Sequence, residues 1–166
     1  MRNQKWNFLR VLIMFAMGAL LMGLGVPTQA QKARASAAKA SEAVQQPLYT
    51  EYKGVRLGMT AQEVRTKLGE PTLPALKENE PDYFVISETE AAQIGYDAAR
   101  RVKVISVDYQ NGVGAPEPSV VVGAPLETQE NGSQFRVARY ENLRLWVSYS
   151  RTSGVPAIVT ITIQKM

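Results

Sequence analysis

Between Asn142 and Tyr149 apolar and polar side chains change places at almost every step. Leu143, Leu145, Val147 and Tyr149 are expected to point one way, and Arg144, Trp146 and Ser148 the other. A period of two marks a strand in a sheet with one buried face. The same rhythm returns in "SQFRVARY" (133–140), where taking Phe135 and Val137 as buried sends Arg136 and Tyr140 outward, and in "AIVTITIQ" (157–164), where Val159, Ile161 and Ile163 alternate with Thr160 and Thr162. Three earlier runs, "YFVIS" (83–87), "AAQIGYD" (91–97) and "RVKVISVDY" (101–109), are rich in β-branched and aromatic residues and are split by short polar turns. The chain therefore has two triplets of strands, separated by the Gly/Pro connector "QNGVGAPEP" (110–118).

The one segment with clear helical grammar precedes them. In "GVRLGMTAQEVRTKLGEPT" (54–72), Thr60 suits an N-cap, and Glu63 completes a T-x-x-E capping box with its charge near the helix N-terminus. Met59 and Val64 stand at the positions of a hydrophobic staple. Ala61, Val64 and Leu68 share one face at helical spacing, while Gln62, Arg65 and Lys67 can face water. Gly69 supplies a stop and Pro71 prevents continuation. A helix this short melts alone, so it must lean on something apolar. "PEPSVVV" (116–122), the matching place in the second half, is too short and too β-branched to predict a helix.

Chemistry is excluded more readily than assigned. The 166 residues contain no cysteine and no histidine. Disulfide staples, Cys/His zinc sites, Ser-His-Asp triads and Cys-His pairs are thereby ruled out. Glu78, Glu80 and Asp82 cluster in "KENEPDY", and Glu88 and Glu90 in "SETEAA"; both stretches look like solvated turns rather than acid/base pairs or metal sites. No glycine-rich phosphate loop is present. The expectation is a non-enzyme with no catalytic residues, no metal and no cofactor.

The first thirty residues combine a basic start (Arg2, Lys5, Arg10), the apolar run "VLIMFAMGALLMGLGV" and "PTQA". This is the three-part pattern of a secretory signal cleaved after Ala30, an uncleaved membrane anchor being the alternative. Removing three cations and no acid takes the formal charge from +4 to +1, so the basic balance does not argue for nucleic acid. Residues 31–48, poor in large apolar groups, read as a flexible linker with a transient helix as the alternative. The mature protein is expected in the periplasm or secreted.

"LGMTAQEVRTKLGEP" resembles the signature of the SmpA/OmlA (BamE-like) domain, with its G-M-T start, T-x-x-x-V helix and L-G-x-P stop. "DYFVI", "AQIGYD" and "RVKVISVDY" would fill the strands that follow in that family. The resemblance covers residues 52–109 well. The second half, in which "VGAPLE" (122–127) echoes "LGEPTL" (68–73), is covered only as a degraded copy. A tandem pair of such units is also the plan of the β-lactamase inhibitory proteins, whose concave sheet grips its target. BamE-like members are typically lipoproteins, and this chain lacks the lipidation cysteine.

The implied fold class is α+β, a short N-terminal helical element packed on antiparallel sheet in two diverged repeats. The expected division is a signal at 1–30, a linker at 31–48, a first repeat at 49–109, a connector at 110–118 and a degenerate second repeat at 119–166. The implied function is a non-catalytic exported protein-binding module of the bacterial cell envelope, serving outer-membrane assembly or envelope maintenance. The alternative is an inhibitor of a secreted or periplasmic hydrolase. The expected partner is a protein, with membrane association only if the N-terminal segment stays attached. Tyr140, Arg144 and Trp146 are the candidate binding residues, because aromatic and arginine side chains on an open sheet face make strong interface anchors.

Overall fold

Lys53 and Gly54 both take left-handed backbone angles (φ 46° and 79°) and fold residues 51–56 into a tight hairpin. Two consecutive positive φ values are what a two-residue turn matched to strand twist requires, and glycine meets one of them without strain. The hairpin joins β1 (Glu51–Tyr52) to β2 (Val55–Arg56). The computed structural model describes residues 46–77 and 80–166. These lie within one compact unit, Ala43–Met166. The expected signal, most of the linker and Glu78 lie outside the described residues.

Helix α1 (Ala61–Leu68) follows, with both bonds of the capping box formed. Thr60 Oγ1 accepts from the Glu63 amide at 3.3 Å, and Glu63 Oε2 accepts from the Thr60 amide at 2.7 Å. The helix ends at Gly69, whose N–H donates to Arg65 O. Val64 is fully buried, with Met59, Ala61 and Leu68 packed beside it.

The remaining strands are β3 (Asp82–Val85), β4 (Glu90–Tyr96), β5 (Val102–Gln110), β6 (Glu127–Thr128), β7 (Gln134–Tyr140), β8 (Leu145–Arg151) and β9 (Ile158–Lys165). They form one antiparallel sheet in the order β3-β4-β5-β9-β8-β7-β6. Each triplet expected from the sequence is a meander. The two meet where their last strands pair, with Val107 opposite Ile161. That junction lies at the middle of the core, and its β-branched residues Ile105, Val107, Ile161 and Ile163 are buried on one face.

The expected α+β architecture is not what forms. The described residues are mostly antiparallel sheet, and their two α-helices are only eight and five residues long. The second, α2 (Pro118–Val122), lies where no helix was expected; proline opens it and Gly123 closes it. Among the described residues no helical layer covers the sheet. The core is closed instead by short pieces: Tyr52 and Val55 of the hairpin, Val64 of α1, and Val121 and Val122 of α2. The reason is length. With two helical turns, α1 buries only Val64 completely. No helix among the described residues is long and apolar enough to cross a membrane.

Candidate functional site

Strand register decides which side chains line the open face, since residues directly opposite each other in an antiparallel pair share a face. Val147 is buried, so Trp146 and Ser148 turn to the other side. Reading outward from Trp146, the row runs through Arg139 on β7 and through Gln164, Val104 and Gly95 on β9, β5 and β4. A second row carries Val137, Ser148, Thr162, Ser106, Gln93 and Tyr83.

The centre of this face is made of small hydroxyl side chains that satisfy one another. Ser106 Oγ and Thr162 Oγ1 lie 3.1 Å apart, and Thr160 Oγ1 donates to Asp108 Oδ1 at 2.6 Å. Ser148 is 9% exposed even here, between its strand neighbours. The β7–β8 flank carries exposed Phe135 (42%), half-buried Val137 and half-buried Trp146, with Phe135 opposite Ser150 and Trp146 opposite Arg139. Arg139 is exposed and has no ion-pair partner among the described residues. The face thus offers a self-satisfied polar floor with one flank of aromatic, aliphatic and cationic groups.

The three candidate binding residues do not sit together on it. Trp146 occupies the open face as expected. Tyr140 does not: it is 6% exposed and belongs to the core. The expectation took Phe135 and Val137 as the buried side of β7, but the Tyr140–Leu145 and Ala138–Val147 pairs put Ala138 and Tyr140 inward. Arg144 is exposed but lies outside the strand, in the β7–β8 turn. It caps a 3-10 turn (Glu141–Leu143) with a left-handed φ of 51°. Leu143, expected inward, is 46% exposed for the same reason. Arg139 was missed and is the residue placed directly opposite Trp146. The spacing that could have found it is the four-residue connection from Tyr140 to Leu145, which fixes the hairpin register.

The acidic clusters are used in local structure. Glu80 accepts from the Leu76 and Lys77 amides. Asp82, fully buried, accepts from the Ala75 amide and from the Tyr96 hydroxyl, both at 2.8 Å. Glu90 accepts from the Tyr52 hydroxyl at 2.9 Å and pairs with Lys53 at 3.4 Å. Burial, reinforced by these carboxylates, raises the pKa of the Tyr52 and Tyr96 hydroxyls well above the ordinary phenol range. Such phenols stay neutral donors and hold the β1–β2 hairpin and the 72–77 segment against the sheet. Among the described residues no three acidic groups converge on a point where they could hold a metal ion.

Neither a family model, nor a curated protein, nor a solved structure matches this chain.

Proposed function

We propose that the protein is a non-catalytic, exported protein-binding module of the bacterial cell envelope, and that its open sheet face captures a protein partner. The observation that carries this reading is the position of Trp146. It is half-buried on the open face, opposite an exposed Arg139 that has no ion-pair partner among the described residues, and on the flank that also carries Val137 and Phe135. Large amphipathic side chains grouped beside a cation make up the composition of an interface hot spot. Export rests on the signal-like first thirty residues, and the envelope role on the BamE-like resemblance of residues 52–109.

A second reading, inhibition of a secreted or periplasmic hydrolase, is favoured by the union of two meanders into one broad seven-stranded sheet. The β-lactamase inhibitory proteins grip their target on such a surface.

Crosslinking and pull-down from native envelopes, with wild-type and Trp146→Ala chains compared, tests both. Capture should weaken roughly tenfold or more, about 1.4 kcal/mol, with the unfolding midpoint nearly unchanged. Recovery of a hydrolase in place of an envelope complex would favour the inhibitor reading. Lowered stability with unaltered capture would return Trp146 to a packing role and remove the face as the binding site.

A further inference from the structure

The two edges of the large sheet are finished differently. At the β3 edge the chain closes its own backbone. Leu73 and Tyr83 exchange both amide bonds, at 2.9 and 3.1 Å, and the Val85 amide donates to Thr72 Oγ1 at 3.1 Å. Among the described residues the β7 edge has no such cover beyond its first residues, because β6 pairs only with Gln134 and Phe135. Pro125 cannot donate to a ladder, and Gly123, at φ 71°, turns the chain away. Arg136 Nη1 then binds Pro125 O and Glu127 Oε1, which fixes the end of β6. From Val137 to Tyr140 the backbone makes no hydrogen bond outside its pairing with β8 among the described residues.

A cleft of about 560 Å³ runs along this free edge. Leu48, Val122 and Ala138 give it apolar walls, and Arg136 and Arg139 stand along it. No acidic side chain lines it. We infer that the free edge of β7 receives an extended, acidic segment of a partner protein as an added strand. The segment's backbone would complete the ladder at Val137–Tyr140. One carboxylate would meet Arg139, and a neighbouring apolar side chain would rest between Leu48 and Val122. Charge decides between this occupant and a second copy of the chain. Arg136 is already paired with Glu127, whereas Arg139 has no ion-pair partner among the described residues. A second copy's β7 would bring another Arg139 to the joined edge, and an acidic strand would bring the carboxylate that Arg139 lacks. This surface is an edge and not the open face, so it stands whether or not Trp146 captures a partner.

The test is binding of a blocked nine-residue peptide alternating glutamate and valine to the full chain, followed by titration calorimetry at low salt. A peptide of the same side chains with N-methylated alternate amides should bind at least tenfold more weakly, because it cannot complete the ladder. Leu48→Asp, at a site 60% exposed, should weaken binding tenfold or more by placing a like charge in the cleft. Arg139→Glu should do the same. Equal affinity for the N-methylated peptide would overturn strand addition and leave simple charge attraction. Failure of both charge variants to change affinity, or sedimentation of the chain as a dimer through this edge, would overturn the acidic partner.

Discussion

Tyr140 and Leu145 stand directly opposite each other where the β7–β8 hairpin closes, and both face the core side of the sheet. That single pairing sets the parity of two strands. A register one residue away would pair Tyr140 with Trp146 and force both onto one face of the sheet. The 3-10 turn at Glu141–Leu143 and the left-handed Arg144 take up the connection and hold the pairing in place.

Tyr140→Ala should therefore act on stability. Loss of a large buried aromatic side chain is expected to cost about 3 kcal/mol or more, read as a lower denaturant midpoint. Partner capture by the folded fraction should be unchanged. A neutral melt combined with lost capture would place Tyr140 on the outside.

The helix α1 invites a graded series. Thr60→Ala removes one capping bond and should cost about 1 kcal/mol. Val64→Ala empties the one fully buried position on the helix and should cost about 2 kcal/mol. Leu68, only partly buried at the last turn, should cost less than an interior leucine when changed to Ala. Denaturant melts of the three variants check the order. A Leu68 effect larger than that of Val64 would mean that the helix leans on the core at its C-terminal end.

What was legible in the sequence was local. The capping box and the Gly69 stop are short-range devices, and both form. The six strand-like runs were legible because β-branched residues alternate within them. The β1–β2 hairpin and β6 were not, since two-residue strands have no period to detect. Face assignment on β7 failed because "QFRVARY" has apolar residues at both parities, Phe135 and Val137 on one side and Ala138 and Tyr140 on the other. The β5–β9 junction joins residues about fifty positions apart, and no local pattern in either strand names its partner. The helix–sheet balance was misjudged because a well-marked helix is not necessarily a long one. The candidate site was legible at Trp146, whose strand has a clean alternation, and not at Arg139, whose strand does not.

Glu63 gives a pH dependence with a definite sign. Hydrogen bonds from the Thr60 amide and hydroxyl hold its pKa below the usual value of 4.5. A carboxylate with a lowered folded-state pKa stabilises the fold above its unfolded value, and that contribution is lost as pH falls through the folded value. Wild-type helix stability should accordingly decline on acidification below about 4.5. Glu63→Gln keeps a capping-box acceptor without a titrating group, so it should lack this component. Identical acid profiles for the two chains, followed by far-ultraviolet circular dichroism, would remove Glu63 as a contributor.

Asp82 presents the sharpest energetic question, because it is a fully buried carboxylate with no cation within ion-pair distance among the described residues. Its two oxygens are engaged separately, Oδ1 by the Ala75 amide and Oδ2 by the Tyr96 hydroxyl. The first bond ties the 72–77 segment to the start of β3, and the second crosses to β4. Asp82→Ala would strand both donors, each at a desolvation cost of about 1–3 kcal/mol, so a loss of about 2–4 kcal/mol is expected. Asp82→Asn keeps one oxygen acceptor and should cost less. The substitution should also loosen the cover of the β3 edge, where Leu73 and Tyr83 exchange their amide bonds. Hydrogen exchange at those two amides should then quicken ahead of exchange at Ile105 and Ile161 in the sheet centre. Uniform quickening at all four sites would mean that Asp82 supports the whole sheet, and unchanged exchange would mean that Leu73 and Tyr83 hold the edge without it.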